Sequence, residues 1–115
     1  MDTDEYLKAP KTNYQLLAPK IDSLKFDEVS IEDAEARNDL SLLELFKNTK
    51  VILGTVTVAR TKVETKEDVK ARIQEALKHI DADRLILATD CGLGMLPPNI
   101  IKQKLSVMKE VADEL

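Results

Sequence analysis

Glu32 and Cys91 are the two side chains of this sequence whose chemistry would combine most usefully. Glu32 follows directly on Val29, Ser30 and Ile31, and Cys91, the only cysteine, follows Asp90 at the end of the apolar run Leu85-Ile86-Leu87-Ala88-Thr89. A carboxylate oxygen and a thiolate sulfur suit zinc, which accepts both in tetrahedral sites. A metal held there would force a coordinated thiol to ionise, activating the cysteine or a bound substrate thiol. Each residue also has a plainer reading. A lone cysteine often packs as a small apolar residue. Glu32 can serve as a solvated loop acid or a helix cap. Asp90 suits a turn in which its carboxylate accepts backbone N–H bonds.

The other candidates are weaker. Gly92-Leu93-Gly94 has the spacing of a phosphate cradle, but an isolated Gly-x-Gly is poor evidence, and glycines easing a tight turn explain it better. His79, the only histidine, falls near the carboxyl end of a helix, where an imidazolium suits the helix dipole. That is the opposite end of a strand–helix unit from Cys91, so the two are not expected to share a metal. No Ser/His/Asp or Cys/His grouping for nucleophilic catalysis can be assembled.

The elements that must position these residues alternate. Leu17, Ile21 and Leu24 predict a helix over 14–24, kinked by Pro19 or starting there. A short strand follows over 26–32, and Asn38 and Asp39 offer caps for a helix carrying Leu40, Leu43 and Phe46. The β-branched run over 51–58 is the clearest strand. Thr65 with Asp68 resembles a capping box for a helix that buries Val69, Ile73, Ala76, Leu77 and Ile80. The strand ending at Thr89 comes next. Pro97-Pro98 then opens a last helix with the stripe Ile101, Leu105, Met108, Ala112 and Leu115. Strands alternating with helices predict an α/β fold with parallel, right-handed crossovers, its apolar strands covered on both faces. In such sheets chemistry gathers beyond the carboxyl ends of the strands. Glu32 and Cys91 are therefore expected on one rim. Three strands leave two open edges, so the pattern suggests part of a larger sheet.

Composition narrows the class. The chain has 115 residues, 43% hydrophobic and 33% charged, with a net charge of −4, which describes one globular domain. Aromatic residues are only 3%, so the core must be aliphatic, and no basic patch points to nucleic acid. No apolar run approaches the ~20 residues of a membrane span, and no signal-peptide pattern is visible near Met1. One cysteine excludes an internal disulfide and suits a reducing, cytoplasmic setting.

From about residue 14 to the end, the chain resembles the carboxyl-terminal part of cobalamin-independent methionine synthases and their shorter relatives. The resemblance is carried by Val29-Ser30-Ile31-Glu32, Arg37-Asn38-Asp39-Leu40, Val51-Ile52-Leu53-Gly54, Asp83-Arg84-Leu85 and Asp90-Cys91-Gly92-Leu93, in matching order and intervals. It implies the last three βα units of a (β/α)₈ barrel, plus a preceding helix, as a single partial domain over 1–115 with an irregular segment over 1–12. It also implies zinc as cofactor, a thiol substrate such as homocysteine, and a folate-type methyl donor. In that family zinc binds and ionises the thiol, which takes the methyl group. The family's ligand carboxylate falls on Glu32 and its late ligand cysteine on Cys91, 59 residues or two βα units apart.

Two departures qualify the resemblance. The family's His-x-Cys ligand pair has no counterpart before Glu32, and where the family has Asp-x-His at the end of the middle strand, this chain reads Thr57-Val58-Ala59. The resemblance therefore implies half of a zinc site, in either a truncated gene product or a segment that needs a partner chain or self-association. Epoxide–thiol transferases of the same superfamily share the zinc-thiolate logic. The rival reading is a non-catalytic interaction module whose sheet edges pair with another chain.

Overall fold

The sheet is built around one apolar strand flanked by two parallel neighbours. The computed structural model describes residues 12–115. Its elements are α1 (Thr12–Ser23), β1 (Glu28–Ile31), a 3₁₀ segment (Leu40–Leu45), β2 (Lys50–Val56), α2 (Lys66–Ala76), a 3₁₀ turn (Ala82–Arg84), β3 (Leu85–Thr89) and α3 (Pro98–Glu114). The strands are ordered β1-β2-β3 and both pairings are parallel. This is the α/β architecture expected from the alternation of elements. The irregular segment expected over 1–12 lies, apart from Thr12, outside the described residues. Among the described residues no helix is long and apolar enough to cross a membrane.

The register divides the sheet into two unlike faces. Val29, Val51 and Leu85 form one row across the strands, and Ile31, Leu53 and Leu87 the next on the same side. They pack in one cluster with Leu40, Leu43, Val69, Ile73, Ala76 and Val111. Burying each large aliphatic side chain of this set contributes roughly 1.5–3 kcal/mol. The opposite face carries the row Ser30, Ile52 and Ile86, where Ser30 is exposed, Ile52 half-buried and Ile86 37% exposed. Burial of the strands on both faces is therefore not observed among the described residues.

Three helical expectations need correction. α1 runs unbroken from Thr12 through Pro19, so it does not begin at the proline. It packs through Ala18 and Ile21, while Leu17 and Leu24 are largely exposed, because its contacts are mainly with the short 3₁₀ segment. The helix expected after Asn38 is that 3₁₀ segment. Asp39 caps it by accepting from the Ser41 N–H, and Leu40, Leu42 and Leu43 are buried. In α3 the buried side is Lys104, Val107, Met108 and Val111, not the stripe through Leu105 and Ala112. Lys104 turns inward because an acid waits for it. In α2 the expected cap is present, with Thr65 Oγ1 accepting from the Asp68 N–H at 3.1 Å.

Candidate functional site

The carboxyl ends of β1, β2 and β3 open onto one rim, and each candidate residue can be placed against it. Glu32 follows the last residue of β1 and is exposed; its side chain makes no hydrogen bond or ion pair among the described residues. Cys91 lies two residues beyond the end of β3 and is also exposed. Among the described residues Cys91 is therefore not packed as a core residue. Because β1 and β3 flank β2 in parallel, both side chains leave the sheet at the same end.

Asp90 joins the two outer strand ends. It is buried, and its Oδ1 accepts from the Asp33 and Ala34 N–H groups at 3.1 and 3.0 Å, while Oδ2 accepts from the Glu35 N–H at 3.0 Å. It accepts backbone N–H bonds, as a turn reading suggests, but from a loop 55–57 residues away. To arrive there it crosses over β2 at Gly54. A Cβ at Gly54 would collide with Asp90 Oδ1 and stand 2.9 Å from the Asp90 Cα. The β2–β3 pairing shifts between Gly54 and Val56, leaving Thr55 of β2 as the extra residue of a bulge. Thr55 Oγ1 donates to the Ala88 carbonyl at the bulge, and the Asp90 N–H donates to the Val56 carbonyl. Gly92 and Gly94, by contrast, have no positive φ, and a Cβ would meet nothing within 4 Å at either. Gly94 does lie in a turn, closed by the Leu96 N–H donating to the Leu93 carbonyl, but Gly54 is the constrained glycine.

The loop after Glu32 is anchored a second time by Asp33. This fully buried carboxylate takes both prongs of the Arg72 guanidinium, Nε to Oδ2 at 2.7 Å and Nη2 to Oδ1 at 2.8 Å. Such forked pairing fixes geometry as well as charge. The hydrogen bonds to Asp33, helped by its charge, outweigh burial and raise the Arg72 pKa. Asn38 closes the turn: its N–H donates to Asp33 Oδ1 and its Nδ2 to the Glu32 carbonyl at 2.8 Å. Arg37, at φ 51°, makes the left-handed step that allows this.

At the end of β2, the positions Thr57, Val58 and Ala59 supply no acid. The charge comes instead from Glu64 and Lys104. Lys104 is completely buried, and its Nζ donates to Glu64 Oε1 at 2.8 Å and to Thr57 Oγ1 at 3.2 Å. Glu64 Oε2 accepts the Thr57 N–H at 2.7 Å. Burial pushes the Glu64 carboxyl up, but the Lys104 and Thr57 hydrogen bonds together win and hold it below its usual range. His79 sits beyond α2 at the far end of the sheet, with Nδ1 2.7 Å from Glu44 Oε2.

The donor chemistry of Glu32 and Cys91 suits zinc in kind. In number it falls short, since among the described residues no group of three or more His, Cys, Asp or Glu side chains is arranged to hold a metal. A catalytic zinc site ordinarily has three protein ligands and one open position.

Comparison with known proteins adds four findings. The family model described as "Cobalamin-independent synthase, Catalytic domain" matches residues 6–114. Methionine synthase from Thermococcus kodakarensis is 34% identical over 95 residues, covering 82% of this chain and 28% of its own length. A 2-hydroxypropyl-CoM lyase from Xanthobacter autotrophicus is 34% identical over 101 residues, covering 82% and 27%. A solved B12-independent methionine synthase from a Shewanella species, in complex with selenomethionine, superposes with a TM-score of 0.82 at 33% identity, covering 87% of this chain and 29% of that one. The chain spans less than a third of the length of each of these relatives.

Proposed function

Because the chain belongs to the cobalamin-independent methionine synthase family, we propose that it contributes Glu32 and Cys91 to a zinc site serving methyl transfer to a thiol. The observation that carries this reading is that a carboxylate and a thiol, both exposed, leave one parallel sheet at the same rim. Zinc, when bound, supplies Lewis acidity that favours the thiolate form of a substrate thiol. Within this chain, Glu32 and Cys91 are the ligands, and the Asp33–Arg72 and Asp90 contacts hold the two loops that carry them. The remaining ligands, and the surfaces for homocysteine and a folate-type methyl donor, come from beyond the described residues of a single copy. They are provided by the rest of a (β/α)₈ barrel, by a complementing chain, or by a second copy pooling its own Glu32 and Cys91. A reduced, cytoplasmic setting keeps Cys91 available.

Thr57, Val58 and Ala59 favour a variation on this reading. With no acid at the end of β2 other than the Lys104-paired Glu64, the thiol acceptor is a different one from homocysteine or the proton is supplied by another chain.

Zinc titration into four proteins tests the reading. Cys91→Ser abolishes most binding, because thiolate is the better zinc ligand of the pair. Glu32→Gln weakens it less, and His79→Ala leaves it as in the unsubstituted chain. Loss in His79→Ala with retention in Cys91→Ser overturns the site. Absence of zinc binding in every protein favours the non-catalytic interaction module instead.

A further inference from the structure

The Asp90 carboxylate is unusual in what it links. Its neighbour in sequence is Cys91, and its three hydrogen-bond donors are the three residues directly after Glu32. Between them lies β2, where only a glycine leaves room for the side chain to cross. A turn aspartate of the ordinary kind binds its own loop two or three residues on. This one ties together two loops of different βα units, and they are the two that carry the candidate ligands.

We propose that Asp90 is a positioning residue: it sets where Glu32 stands relative to Cys91, and Gly54 is the gap that admits it. The proposal rests on the zinc reading of Glu32 and Cys91. The geometry supports it from three sides. Both carboxylate oxygens are used, so the side chain is fixed in rotation as well as position. Beside the register shift between Gly54 and Val56, the Asp90 N–H is itself held by the Val56 carbonyl. The receiving loop is stiffened from behind by the Asp33–Arg72 fork, so displacement of Asp90 would release one anchor and not the whole loop. Asp90 touches no substrate in this arrangement and acts only through the two residues it spaces.

The test compares the full chain with Asp90→Ala, Asp90→Asn and Gly54→Ala, each checked for retained secondary structure. Two measurements are made: amide hydrogen exchange at Asp33, Ala34 and Glu35, and the coupling between Glu32→Gln and Cys91→Ser in zinc affinity. In Asp90→Ala the three amides exchange about tenfold faster or more, consistent with losing hydrogen bonds to a charged group. Zinc affinity falls to a level at which Glu32→Gln costs nothing further. Asp90→Asn keeps the Oδ1 acceptor, so Asp33 and Ala34 stay protected while Glu35 is released. Gly54→Ala reproduces Asp90→Ala without altering the carboxylate. A folded Asp90→Ala protein with unchanged exchange at the three amides, or with the Glu32–Cys91 coupling intact, overturns the proposal. If Asp90→Ala does not fold, Asp90→Asn decides it through the Glu35 amide. If the unsubstituted chain shows no zinc coupling while the exchange pattern is as stated, the zinc reading fails and the tether between the loops stands.

Discussion

Lys104 and Glu64 show how much a single pair can matter at the end of a strand. A fully buried ammonium is tolerated only because the Glu64 carboxylate and Thr57 Oγ1 receive it. Removing one member leaves the other charge buried without its partner, which typically costs about 3–5 kcal/mol. Glu64→Gln, which strands the fully buried Lys104 ammonium, is therefore predicted to lower the stability by about that amount in urea unfolding, and adding Lys104→Met to recover part of it. Equal losses in the single and double variants would contradict the pairing. This residue was not legible in the sequence, where a lysine at helical spacing reads as a solvent-facing position. Nor was Gly54, which looked like one more small residue in a strand. Asp90 was legible as an acceptor of backbone N–H bonds, but not as one reaching another loop, because a pairing over 55 residues leaves no local pattern. The assignment of Glu32 and Cys91 came from the family resemblance; spacing alone favoured a solvated acid and a packed cysteine.

Between elements, Asp22 is the joint that fastens α1 to the start of β2. Its Oδ1 accepts from the Asn48 N–H at 3.0 Å, the Thr49 N–H at 3.1 Å and Thr49 Oγ1 at 2.8 Å. The Asn48 backbone bond is the largest influence, and together with the Thr49 and Lys47 contributions it outweighs burial and lowers the carboxyl pKa to about 2. A depressed carboxylate stabilises the fold above its ordinary value of 3.8. That contribution fades as the pH falls from near 4 toward 2. Asp22→Asn is predicted to destabilise the chain by about 1–3 kcal/mol at neutral pH and to flatten the stability profile in that acid window. An unchanged acid limb in melting curves would contradict this. The strands were legible because β-branched runs bounded by polar turns specify them. The α2 cap was legible from Thr65 and Asp68. The 3₁₀ segment was not, since Leu40, Leu43 and Phe46 fit a helical spacing either way, and the Phe46 N–H bond to the Leu43 carbonyl that marks the tighter winding has no sequence signature.

Across the whole molecule, the sheet is covered on one side and open on the other. Ile86 at 37% exposure on the open face, with Leu16 and Leu17 of α1 at 70% and 48%, leaves apolar surface without partners among the described residues. Whole barrels of this architecture run to about 250 residues, and each relative compared is more than three times the length matched here. The isolated chain is therefore predicted to self-associate at micromolar concentration, observed by sedimentation velocity. A monodisperse, cooperatively unfolding monomer would contradict that and favour a self-sufficient domain. Parallel strand order was legible from the alternation of helices and strands, whereas the open face was not, because apolar strands look alike whether one side or two are covered. The claim on which the account depends is that Cys91 is a metal ligand. Zinc-edge X-ray absorption of the zinc-loaded chain tests it most directly: the account predicts a sulfur neighbour at about 2.3 Å that disappears in Cys91→Ser, whereas a shell of oxygen and nitrogen alone in the unsubstituted chain would contradict it.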